Sequence, residues 1–277
     1  MPSSLPFATA FAATLLAGCQ GLATQQEQRR SDVSSSPSVE NVSKASRTTA
    51  REQVDEPRAE PNPAEARRGA TELRAATAEE HARYAWLASD VRIRSLEASL
   101  PPPPGFERAP LPPASFGAFL RGLPLRGTDA EVRAHDGRLL RPAGHPGVAA
   151  VVELDVSKSD LQQCADTVLR MHAEWRWARG EAERASYQFT SGDLASFAGW
   201  ARGERPIVDG AKVRWAQKAA PANDRASYRR WLELVFTYAG TVSIAREGER
   251  IERSELAPGD YFVLPGGPGH AVLVLDV

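Results

Sequence analysis

The chain has 277 residues, 25% of them charged and 42% hydrophobic, with 21 Gly and 21 Pro, a soluble-protein composition that excludes collagen, a coiled coil and a multi-span membrane protein. Lys and Arg total 34 against 35 Asp and Glu, so a net charge of -1 offers no field that would draw the chain onto nucleic acid or an anionic lipid surface. The 2 cysteines cannot build a disulfide framework or a Cys-rich zinc site.

Residues 1–19 read as a targeting segment, because the apolar run Leu5 to Ala17 is too short to span a bilayer and ends in Leu16-Ala17-Gly18-Cys19. That tetrapeptide resembles a bacterial lipobox. The resemblance implies cleavage before Cys19, acylation of its thiol and a membrane anchor of two or three acyl chains, although the start Met1 to Pro6 carries no Lys or Arg. Gln20 after the cysteine, by the same resemblance, implies the outer membrane, periplasmic side.

From residue 20 to 80 the large apolar side chains are Leu22, Val33, Val39, Val42, Val54 and Leu73, with no aromatic residue. Such a stretch cannot bury enough surface to offset its chain entropy, and it is expected to be a disordered tether with an r.m.s. span of roughly 45 Å. Tyr84-Ala85-Trp86 is the first place where the chain can dock on a core, so the domain is expected over 81–277.

Within it, Pro101 to Pro104 predicts a polyproline II surface connection and Ser115 to Leu120 a capped short helix ending at Gly122. Val148 to Val156 reads as a strand. Ser157 to Asp160 supplies helix N-caps, after which Leu161 to Ala178 keeps helical spacing until Gly180. Tyr187 to Thr190 predicts a short strand, Asp193 to Arg202 a helix, and Asp224 to Tyr238 an aromatic-rich helix. Asp260 to Leu264 and His270 to Val277 read as two strands joined by a Gly-Pro turn. The mixed order predicts an α+β domain.

Several of these stretches together are similar to a bacterial family of secreted proteins and lipoproteins, domain of unknown function 4846. They are Ser115 to Leu125, Asp160-Leu161-Gln162-Gln163-Cys164-Ala165-Asp166, Phe189 to Gly192, Val235 to Thr241, Gly259-Asp260 and Pro268-Gly269-His270-Ala271-Val272. The resemblance implies no stated activity. The family's domain continues past the His-Ala-Val strand whereas this chain stops at Val277, which is expected to reflect a truncated gene model or protein.

With Cys19 acylated, Cys164 is a lone thiol in an oxidising compartment, and it is either buried or used. A cysteine near the start of a helix, followed far downstream by a Gly-Asp turn into a strand and by a histidine opening the next strand, resembles the papain-like and NlpC/P60 cysteine hydrolases. That resemblance implies a helix packed on a small antiparallel sheet, with Cys164 as nucleophile and His270 as the base that takes its proton. The opposing reading is core filling, since Leu161, Cys164, Val168, Met171 and Trp175 share one helical stripe and an Asp160 cap would set the thiol at the fourth helical position.

Asp276, six residues beyond His270, is roughly 20 Å away at strand rise and cannot orient the ring; Asp260, which would pair four residues past His270, reads as a turn cap. His81, His135, His145 and His172 lack metal-ligand spacing, so no metal and no cofactor is expected. Glu153 and Asp155 read as the polar face of a strand, and Arg121, Arg126, Arg170 and Arg176 as surface or ion-pair residues. Two functions remain open: an envelope-anchored cysteine hydrolase or acyltransferase acting on an amide or thioester such as a cell-wall peptide, or a non-catalytic lipoprotein that binds a peptide, glycan or protein partner.

Overall fold

The computed structural model describes residues 72–277. Cys19, the apolar leader and most of the expected tether lie outside the described residues.

The N-terminal layer is a three-stranded antiparallel sheet, β1 (Arg74–Ala75), β2 (Arg92–Ser95) and β3 (Pro124–Leu125). Between β1 and β2 lies α1 (Ala78–Arg83), closed by a capping box in which Thr77 Oγ1 accepts the Glu80 N–H and the Glu80 carboxylate accepts the Thr77 N–H. After α2 (Leu96–Ser99) the chain runs exposed through Pro101 to Pro104, as expected of a proline-rich connection. Then α3 (Phe116–Arg121) begins, with Ser115 Oγ accepting the Ala118 N–H at 3.1 Å and Gly122 as its C-cap. An exposed hairpin, β4 (Val132–Arg133) and β5 (Leu139–Arg141), follows.

Val148 to Val156 departs from its expected strand. It is extended chain with a single bridge, Val152 to Leu125, because its partner β3 is two residues long and supports two ladder bonds, Arg126 N–H to Val151 O and Glu153 N–H to Pro124 O.

The central element is α4 (Cys164–Ala178), which starts three residues later than its spacing suggests. Ser157 Oγ accepts the Ser159 N–H in a separate turn, and Gln163, extended at φ -109° and ψ -155°, is the N-cap, its own N–H bound by the Asp166 carboxylate at 3.0 Å. One face of α4 carries Ala165, Val168, Leu169 and Ala173 into a core shared with the second half of the domain. Met171 and Trp175 face a second core under α3 with Tyr84, Phe119, Leu120 and Leu125.

Two hairpins come next. β6 (Ser186–Gln188) pairs with β7 (Leu194–Ser196), and β8 (Glu204–Asp209) pairs with β9 (Lys212–Gln217). The expected helix from Asp193 is thus half strand: α5 (Phe197–Ala201) begins only after Ser196, whose side chain caps it. α6 (Arg225–Tyr238) matches expectation, with Asp224 as N-cap at 2.7 Å from Ser227 N. Its Tyr228, Trp231, Leu232, Val235 and Phe236 form the i, i+3, i+4, i+7, i+8 stripe of a buried helix face. α7 (Thr241–Glu247) leads to the closing hairpin, β10 (Tyr261–Leu264) and β11 (His270–Leu273), in the register Leu264 to His270 and Tyr261 to Leu273. α4 packs against β11, α6 and α7, and helices and small antiparallel sheets together make an α+β fold.

The arginines named from the sequence are all ion-paired. Arg121 holds Asp276 and Arg126 holds Glu153 at 2.9 Å, while Arg176 holds Glu181 at 2.7 Å. Two of them depart from a surface role, Arg121 being buried on α3 and Arg170 completely buried on α4. Arg170 pairs with Asp155 and with Glu174, which is also held by Arg225 at 2.7 Å.

Candidate functional site

Cys164 is the first residue of α4, half-buried at the edge of the larger core. The first amides of a helix have no intrahelical acceptor and its dipole is positive there, so this end favours an anion more than the fourth position would. His270 is the first residue of β11. Strand alternation sets it on the exposed face with Val272, while Ala271 faces the core.

The segment leading into the closing hairpin packs beside α3 and α4. Gly259 has φ +109°, and a Cβ there would come within 2.8 Å of the Phe116 ring, which itself packs at 5.5 Å on both His172 and Trp175. Two residues on, Tyr261 borders Val168, Leu169 and His172. β11, which His270 opens, packs on α4, which Cys164 opens. Among the described residues no hydrogen bond joins Cys164 and His270.

The carboxylates near His270 lie where strand rise puts them. Asp260 O accepts the N–H of Val274, four residues beyond His270, at 2.8 Å, and its side chain accepts the Ala257 N–H at 2.7 Å as a turn cap. Asp276 is engaged by Arg108 and Arg121.

A second cluster was not legible from motif spacing. A cleft of about 350 Å³ opens between α4, β6, α7 and the start of β10, lined by Phe116, Val168, His172, Ser186, Glu247 and Tyr261, among others. His172 stands two turns from Cys164 on the same helix face, its Nδ1 2.9 Å from the buried Tyr187 hydroxyl. Glu247 accepts the Gln188 N–H at 2.9 Å, and among the described residues no Lys or Arg pairs with it. Ser186 Oγ is buried with no hydrogen-bond partner. Sequence spacing could reveal only the 164, 168, 172 stripe, since Ser186 and Glu247 are brought in by tertiary packing.

Burial is the main cause of the altered acidities here. It pushes His172 down to about 4, with Arg176 adding to the effect, and pushes Glu247 up against the pull of the Gln188 N–H. At the helix start it raises Asp166 to about 6 despite the Gln163 N–H.

His172 and Asp166 act oppositely on acid stability. As pH falls from about 6.5 toward 4, the unfolded chain protonates its histidine before the folded one does, so the His172 contribution to stability is lost. Asp166 takes up its proton in the folded state near pH 6 and only near 3.9 when unfolded, so it stabilises over that window. A His172→Gln variant, lacking only the first effect, should lose less melting temperature between pH 7 and pH 4.5 than the wild type. Calorimetric curves that stay parallel for the two proteins would contradict the burial of this ring.

No curated protein matches the chain, and no solved structure does. The family model described as domain of unknown function (4846) matches residues 96–277, from α2 through both cores to the closing hairpin, and the chain belongs to that family.

Proposed function

We propose that this protein is an envelope lipoprotein, anchored through Cys19 at the periplasmic side of the outer membrane, whose domain is a papain-like cysteine hydrolase or acyltransferase with Cys164 as nucleophile and His270 as base. What supports this reading is that Cys164 is the first residue of α4 and His270 the first residue of β11, a strand that packs on that helix. In this reading His270 takes the proton of the Cys164 thiol and leaves a thiolate. That thiolate would attack the carbonyl carbon of an amide or thioester; the imidazolium would protonate the departing amine or thiol, and water would release the acyl group from the resulting thioester. A domain tethered in the periplasm meets cell-wall peptide first.

A second reading, a non-catalytic binding domain with Cys164 in a structural role, draws on the packing of the half-buried thiol beside the core and on the outward face of His270.

Acyl transfer separates the two. With p-nitrophenyl acetate, the native full chain should form an acetyl thioester at Cys164, located by peptide mapping, with release of p-nitrophenolate. Acetylation that appears only after unfolding would leave the binding reading. The anchor is tested apart from the site: a palmitate analogue supplied to cells should label the wild type and miss Cys19→Ala, and equal labelling would refute it.

A further inference from the structure

The cleft between α4, β6, α7 and β10 holds groups that the Cys164 chemistry does not use. Its walls are the ring of Phe116 and the aliphatic side chains of Val168, Leu169 and Ile244. At its mouth stands the Glu247 carboxylate, with one bond from a backbone N–H and no cationic partner among the described residues. Inside lies Ser186 Oγ, buried and unpartnered. A buried hydroxyl without a partner is costly, and one ligand could satisfy it together with the exposed Glu247 carboxylate at the rim.

We propose that this cleft binds a primary ammonium group carried on a short apolar chain, the ammonium bonding to Glu247 and Ser186 and the chain lying against Phe116, Val168 and Ile244. Three N–H donors suit a carboxylate and a hydroxyl oxygen lining one cleft, whereas a carboxylate ligand would find only the Ser186 O–H as a donor and would be repelled by Glu247. Among the described residues no Lys or Arg lines the cleft. Burial keeps His172 uncharged at neutral pH, Arg176 is bound to Glu181, and Arg246 donates to Thr190 O at 3.3 Å. The aliphatic lining then selects for the chain behind the charge. The inference does not depend on Cys164 being a nucleophile.

The test uses the full chain and three probes of equal length, n-pentylammonium, 1-pentanol and pentanoate, in calorimetric or ligand-observed NMR titrations at pH 7. The ammonium should bind about tenfold more tightly than the alcohol, the scale of one charge-assisted hydrogen bond, and pentanoate more weakly than either. Glu247→Gln keeps an acceptor for the Gln188 N–H, so it should fold and lose the preference for the ammonium. Ser186→Ala should weaken ammonium binding severalfold at a melting temperature no lower than that of the wild type. Equal affinity for all three probes, no saturable binding of the ammonium, or a preference that survives Glu247→Gln would overturn the proposal.

Discussion

At pH 6 the His270→Ala variant should react with iodoacetamide at Cys164 about tenfold more slowly than the wild type. A free cysteine is only about 0.3% thiolate at that pH, whereas one held beside an imidazolium at a helix N-terminus is mostly thiolate, a gain of order a hundredfold. The more stable thiolate is a weaker nucleophile, which gives back about one power of ten. The remaining factor depends on His270. A core cysteine would show neither the fast reaction nor its loss. The comparison keeps its meaning even if turnover of a natural substrate needs a further orienting group, because alkylation asks only for the thiolate.

The largest expected effect on stability lies at Arg170. Arg170→Met removes a fully buried guanidinium that binds the Asp155 and Glu174 side chains, and leaves Glu174, itself 1% exposed, with Arg225 as its remaining charged partner. Breaking one side of a buried ion pair costs about 3–5 kcal/mol, and for a domain of this size that lowers the melting temperature by roughly 10 °C. Much of that cost is the orphaned charge, so the double variant Arg170→Met, Glu174→Leu should recover part of the loss. A single variant that melts within about 2 °C of the wild type would show that the network contributes little.

Elements whose ends are written in local chemistry were legible in the sequence. Ser115 and Gly122 bracket α3, Asp224 opens α6 with its apolar stripe intact, and the Gly-Pro turn joins β10 to β11. Elements decided by partners were not. Val148 to Val156 has strand composition, yet β3 offers it only two residues to pair with. Three candidate caps, Ser157, Ser159 and Asp160, precede Leu161, and the chain uses Gln163, because Ser157 and Ser159 bond to each other and Asp166 reaches back to the Gln163 amide. That shift of three residues moves Cys164 from the interior of the first turn to its first position, and so changes the electrostatics of the thiol. The sequence pointed to Cys164 and His270 through a resemblance, but the 350 Å³ cleft depends on residues from five separate elements with no common motif.

The pH dependence of carboxamidomethylation at Cys164 tests the central claim most directly, measured on the native full chain by peptide mapping between pH 5 and pH 9. Nucleophile and base acting together predict a rate that is already near its plateau at pH 6 in the wild type and that rises only above neutral pH in His270→Ala. Identical profiles for the two proteins, or a Cys164 that alkylates only once the chain is unfolded, would contradict it and return the thiol to the core.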